Sequence, residues 1–169
     1  MLEESALANA AAPTVHAPPP SSCWPAADTA RPRVLVVEDV REQALILRRW
    51  LEMEGCEVVV AHDGATGLAL AQRSDFDLVI TDIQVPGADG VDIARQSKNA
   101  VPWRPVVAMT AHLEDDVAEL RLHASELLVK PLKRIPTATV VKQLLVQARE
   151  GRAAEEELAS VVASTPPSP

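Results

Sequence analysis

Between residues 31 and 150 the chain alternates short, continuous apolar runs with longer amphipathic stretches. Residues 33–37 (Arg-Val-Leu-Val-Val) are too uniformly apolar for a strand with one wet face, and read as a strand buried on both sides of a parallel sheet. Residues 57–61, 77–81, 105–109 and 127–129 repeat the pattern and predict four more strands. Between them, 40–54 predicts a helix with Ala44, Leu45, Ile46, Leu47 and Leu51 apolar and Gly55 as its stop. Asp63 is placed to cap a second helix reaching about Arg73, and shorter periodic stretches predict helices over 91–98 and 112–123. A last helix spans 137–150, with Val140, Val141, Leu144, Leu145 and Ala148 on its apolar face. Five strands alternating with five helices predict one α/β domain built on a doubly wound, mostly parallel sheet.

Composition narrows this picture. Of the 169 residues 47% are hydrophobic and 24% charged, which supplies a core and argues against a wholly disordered chain. With three Trp, one Phe and no Tyr, that core is aliphatic, and stacking platforms for single-stranded nucleic acid are missing. The net charge of −8 disfavours nucleic acid and acidic membrane surfaces as partners. Residues 1–30 hold five prolines and no Lys or Arg, and predict a Pro/Ala-rich tail without fixed structure. Residues 151–169 carry Glu155, Glu156 and Glu157 and end in a Pro-rich stretch, and are read as a second tail, although 155–162 could extend the last helix or add a short one. Cys23 and Cys56 form no metal or redox pair and read as free thiols. Without a signal-peptide core or a run of membrane-spanning length, the expectation is a cytoplasmic protein.

In a sheet of this kind ligands bind beyond the carboxyl ends of the strands. The residues standing there are Glu38 and Asp39 after the first strand, Asp82 after the third, Thr110 after the fourth, and Lys130-Pro131 after the fifth. Clustered carboxylates repel one another unless a cation intervenes, and a small set of hard oxygens suits Mg²⁺. A nearby lysine and hydroxyl add donors for the oxygens of a phosphoryl group. Any one of these residues alone reads as a solvated loop-end cap. Five of them gathered at the ends of four strands point to a site.

These stretches resemble the receiver domain of two-component response regulators: residues 34–39 ending in Glu38-Asp39, residues 77–82 followed by Pro86 and Gly90, Met109-Thr110-Ala111, and Lys130-Pro131. The likeness covers about residues 31–150 and implies the flavodoxin-like strand order 2-1-3-4-5. It implies Asp82 as phosphoacceptor from a sensor histidine kinase or a histidine phosphotransfer protein. By the same resemblance, Asp39 and Asp82 bind Mg²⁺ directly, Glu38 acts through water, and the Gln84 carbonyl contributes. Thr110 and Lys130 then hold the phosphoryl oxygens, Lys130-Pro131 is a cis peptide, and small Ala111 leaves the site open. Gln84 and His112 stand where side chains tune phosphoryl lifetime in the family; His112 reads equally as an exposed residue at a helix start.

The sequence also departs from the family pattern. Leu127 occupies the position of the aromatic residue whose rotation accompanies signalling, and it has no polar edge. The stretch from Thr110 to Lys130 is about two residues shorter than in common members, and His123 stands where a Gly often precedes the small residue, here Ala124. Gly64 and Gly67 read as helix packing, and His16, His62, His123, Trp50 and Trp103 imply no cofactor. The resulting expectation is a single-domain response regulator acting on a downstream protein target. It is a phosphoacceptor and not an enzyme, and its contact face is formed by the fourth helix, fifth strand and fifth helix. The alternatives are a phosphorylation-independent adaptor or scaffold and an aspartyl-phosphate hydrolase, the latter disfavoured by Gln84.

Overall fold

The computed structural model describes residues 31–111 and 117–164. Strands β1 (Arg33–Val37), β2 (Glu57–Ala61), β3 (Leu78–Asp82), β6 (Val106–Thr110) and β7 (Glu126–Val129) form one sheet in the order β2-β1-β3-β6-β7. All four pairings are parallel. This is the expected 2-1-3-4-5 order; the numbering differs because β4 (Gln84–Val85) and β5 (Ala88–Asp89) make a separate two-residue hairpin after β3. Among the described residues five helices complete the domain: α1 (Arg41–Met53), α2 (Gly64–Ala71), α3 (Gly90–Ala100), α4 (Val117–His123) and α5 (Arg134–Ser164).

The strand period of two explains why the runs are continuously apolar. Val34 and Val36 point to one face of β1 and pack with Leu47 and Leu51 of α1 and Val141 and Leu145 of α5. Leu35 and Val37 point to the other face, among Ala71, Phe76, Ile93 and Ala94. Both faces are covered, so the four positions after Arg33 are all apolar. Helix starts follow local chemistry: Asp63 accepts the Thr66 N–H at 2.8 Å, and Asp89 accepts the Val91 N–H at 2.9 Å. Gly64 and Gly67 pack closely against Ala88 and Val37, in keeping with a packing role. Cys56 is buried among apolar neighbours, which pushes its thiol up to about 12.

The last helix differs most from the sequence expectation. It begins three residues before 137, because Pro136 falls in its first turn, where a missing N–H costs nothing. It then continues to Ser164, so the boundary drawn at 150 lies inside a helix, and residues 151–164 are not an irregular tail. Gly151 lets Trp103 pack directly on this helix: a Cβ there would stand 2.6 Å from the Trp103 Cβ. The indole lies against the helix, donates through Nε1 to Glu155, and carries the Arg152 guanidinium 4.9 Å from its ring centroid. Arg152 also pairs with Asp77 at 2.6 Å. The N-terminal segment 1–30, His112 and residues 165–169 lie outside the described residues.

Arg104, just before β6, is fully buried and went unread in the sequence. Its guanidinium donates to the Ser97 hydroxyl (3.0 Å) and carbonyl (3.1 Å) and to the carbonyls of Ala71 and Arg73. One cation thereby ties the end of α2 to α3, with burial lowering its pKa to about 10. Replacing it with Met leaves those carbonyls without their donor. Arg104→Met is expected to lower unfolding stability by about 3 kcal/mol, read as a lower urea midpoint. An unchanged midpoint would show that the tie contributes nothing.

Candidate phosphoacceptor site

Register brings the predicted residues together. Val37 pairs with Thr81, so the next residues along β1 and β3, Glu38 and Asp82, emerge side by side. Asp82 pairs with Met109, and Thr110 with Val129, which sets Thr110 and Lys130 one step further across the same edge. The Lys130 N–H donates to the Thr110 carbonyl at 2.7 Å. Lys130-Pro131 is cis, as the resemblance implied.

Glu38 and Asp82 are buried and Asp39 is half-buried; carboxylate oxygens of all three lie within 4.8 Å of one another. The Lys130 ammonium reaches into this cluster and bonds Glu38 Oε2 at 2.7 Å and Asp82 Oδ2. Burial opposes its charge, but the bonds to Asp82 and Glu38 outweigh that effect and hold its pKa above the ordinary lysine value. One ammonium against three carboxylates leaves a negative excess, and the donors are hard oxygens only. That set fits Mg²⁺ better than a softer transition metal. Both Glu38 oxygens have protein partners, Lys130 and the Val40 N–H at 3.3 Å, which suits contact with an ion through water.

Gln84 lies exposed on β4, and its N–H donates to Asp82 Oδ1 at 3.1 Å. This backbone contact, which the sequence reading did not include, leaves Asp82 with a donor at each oxygen. Thr110 is buried at the end of β6, Ala111 and Pro131 are exposed, and Leu127 is half-buried on β7. Gly90 has a role that its place in the motif did not reveal. A Cβ there would come within 2.4 Å of the Asp82 carbonyl oxygen, so only glycine lets α3 start against the Asp82 end of β3. A cleft of about 650 Å³ opens beside Lys130, between Leu47 and Trp50 of α1 and the Pro131-Leu132 turn.

Comparison with known proteins agrees with this geometry. Residues 34–142 match the response regulator receiver domain family. The transcriptional regulatory protein CusR of Escherichia coli is 35% identical over 115 residues, covering 67% of this chain and 51% of that protein. The transcriptional regulatory protein TcrA of Mycobacterium tuberculosis is 35% identical over 101 residues, covering 59% and 40%. The chain thus spans about half or less of the length of such relatives. Among solved structures, a receiver domain from Methanospirillum hungatei superposes with a TM-score of 0.66 at 25% identity, over 72% of this chain and 98% of that one. The response regulator TrrA of Thermotoga maritima, solved in complex with Mg²⁺ and BeF, gives 0.62 at 28% identity, over 67% and 98%. The fold, the buried acidic cluster closed by Lys130 and the match over residues 34–142 place this chain in the response regulator receiver domain family of two-component signalling.

Proposed function

We propose that this chain is a signalling phosphoacceptor that takes a phosphoryl group on Asp82 from a phosphohistidine donor and passes the signal on through altered protein contacts. The observation that carries this reading is the Lys130 ammonium seated between Asp82 and Glu38 at the edge of the acidic cluster. In the transfer, an Asp82 carboxylate oxygen forms the new O–P bond as the P–N bond to the donor histidine breaks. The electron pair of that bond stays on the imidazole nitrogen. Mg²⁺ held by Glu38, Asp39, Asp82 and the Gln84 carbonyl would supply the positive charge that offsets the phosphoryl oxygens. Lys130 contributes a second cation, and Thr110 a hydroxyl donor, on the side of β6 and β7.

The donor is a sensor histidine kinase or a histidine phosphotransfer protein, and the cleft between α1 and the Pro131-Leu132 turn gives its apolar flank a place to sit. The output is contact with a downstream protein through the face made by α4, β7 and α5. Leu127 leaves no aromatic edge to rotate there, so the signal runs through Thr110, whose carbonyl is bonded to the Lys130 amide. The protein's work is signalling in the cytoplasm and not substrate turnover. Kinship with two-component regulators supports this; among the described residues no helix is long and apolar enough to cross a membrane.

Incubation with Mg²⁺ and acetyl phosphate is expected to add one phosphoryl mass to the wild type and none to Asp82→Asn, measured on the intact protein. A wild type that gains no mass, and shows no Mg²⁺-dependent response to beryllofluoride, would instead favour the phosphorylation-independent adaptor. Chelation with EDTA is expected to stop the labelling. Lys130→Ala removes the cation from the phosphoryl site and is expected to slow labelling on the order of 10²-fold in a rapid-quench assay. A rate within twofold of wild type would remove Lys130 from the chemistry.

A further inference from the structure

The β1–β2 ladder ends at the pair Val37 and Ala61, yet the metal-site residues lie one and two positions further along β1. The Glu38 N–H still donates to the Ala61 carbonyl at 3.0 Å, the last rung of a parallel pattern. Continuing the pattern would require a backbone donor from Asp63 for the Glu38 carbonyl, but there the chain turns away and Asp63 becomes the cap of α2. The next donor is a side chain: His62 Nδ1 lies 3.1 Å from the Glu38 carbonyl oxygen. A carbonyl only accepts, so Nδ1 carries the proton in this contact.

We propose that His62 is a positioning residue for the acidic cluster, holding the Glu38-Asp39 peptide so that both carboxylates face the ion and Asp82. The peptide it grips joins the two residues, and its plane sets the direction of both side chains. Ala61 fixes one side of Glu38 through its N–H, and His62 fixes the other through its carbonyl. Ligand-orienting hydrogen bonds of this kind act on metal affinity more than on the chemical step. The inference rests on the phosphoacceptor reading only for its kinetic readout; the binding readout stands apart from it.

Three substitutions test it. His62→Asn puts an amide N–H where Nδ1 stands, His62→Gln moves that N–H one carbon further out, and His62→Ala removes it. Mg²⁺ binding by calorimetry and the Mg²⁺ dependence of acetyl phosphate labelling are measured for each. His62→Ala and His62→Gln are expected to need about tenfold more Mg²⁺ for half-saturation. Their maximal labelling rate stays within about twofold of wild type, and His62→Asn restores the Mg²⁺ dependence. In the wild type, long-range ¹H–¹⁵N spectra of the His62 ring are expected to show the Nδ1–H tautomer. Equal Mg²⁺ affinity in wild type and His62→Ala, or no difference between the Asn and Ala variants, would overturn the proposal. If the wild type binds Mg²⁺ in a His62-dependent way but takes no phosphoryl group, the phosphoacceptor reading fails and the positioning role stands. A wild type that binds no Mg²⁺ overturns both.

Discussion

Three ionised carboxylates packed within 4.8 Å, two of them buried, repel one another unless a cation intervenes, and Lys130 is a cation the chain itself provides. Its amide is fastened to β6 and its ammonium bonds residues that follow β1 and end β3. One side chain therefore joins the ends of strands spread across the sheet. Much else in the domain can be understood as the means of bringing those strand ends to one edge in register. A parallel sheet does this because all its strands finish on the same side, and burial on both faces keeps the register from slipping.

The supports around the cluster are backbone donors and close approaches. Gln84 and Val40 donate main-chain N–H groups to Asp82 and Glu38, and Gly90 lets α3 begin against the Asp82 carbonyl. The Glu38 peptide is held on both sides by consecutive residues at the end of β2. The acidic residues are thus held in fixed directions by the chain itself, which lowers the cost of organising them around a cation.

Strand positions and the five strand-end residues were legible because both follow from local pattern: uniform apolar runs, and polar residues at the point where each run stops. The identity of the cluster could be read for the same reason. Long-range pairing could not be read this way. Arg104 is an unremarkable arginine before a strand until the ends of α2 and α3 are seen to meet around it. His62 looks like a lone histidine after a strand, since nothing local says that the ladder needs another donor there. The extent of α5 was obscured by a glycine and three glutamates. Their meaning depends on Trp103, 48 residues before Gly151, and on Asp77, which pairs with Arg152.

The length of α5 has a mechanical consequence. At 1.5 Å per residue it runs about 45 Å, from a start four residues after Lys130 to Ser164. Trp103 packs against it at Gly151 and bonds Glu155, and about 14 Å of helix continues beyond that residue to Ser164. A rigid rod held at such a fulcrum magnifies rotation into travel: a tilt of about 10° would carry Ser164 sideways by roughly 2 Å. With Leu158, Val161 and Val162 exposed along that stretch, such a tilt would carry an apolar stripe through solvent at a distance from the carboxylates.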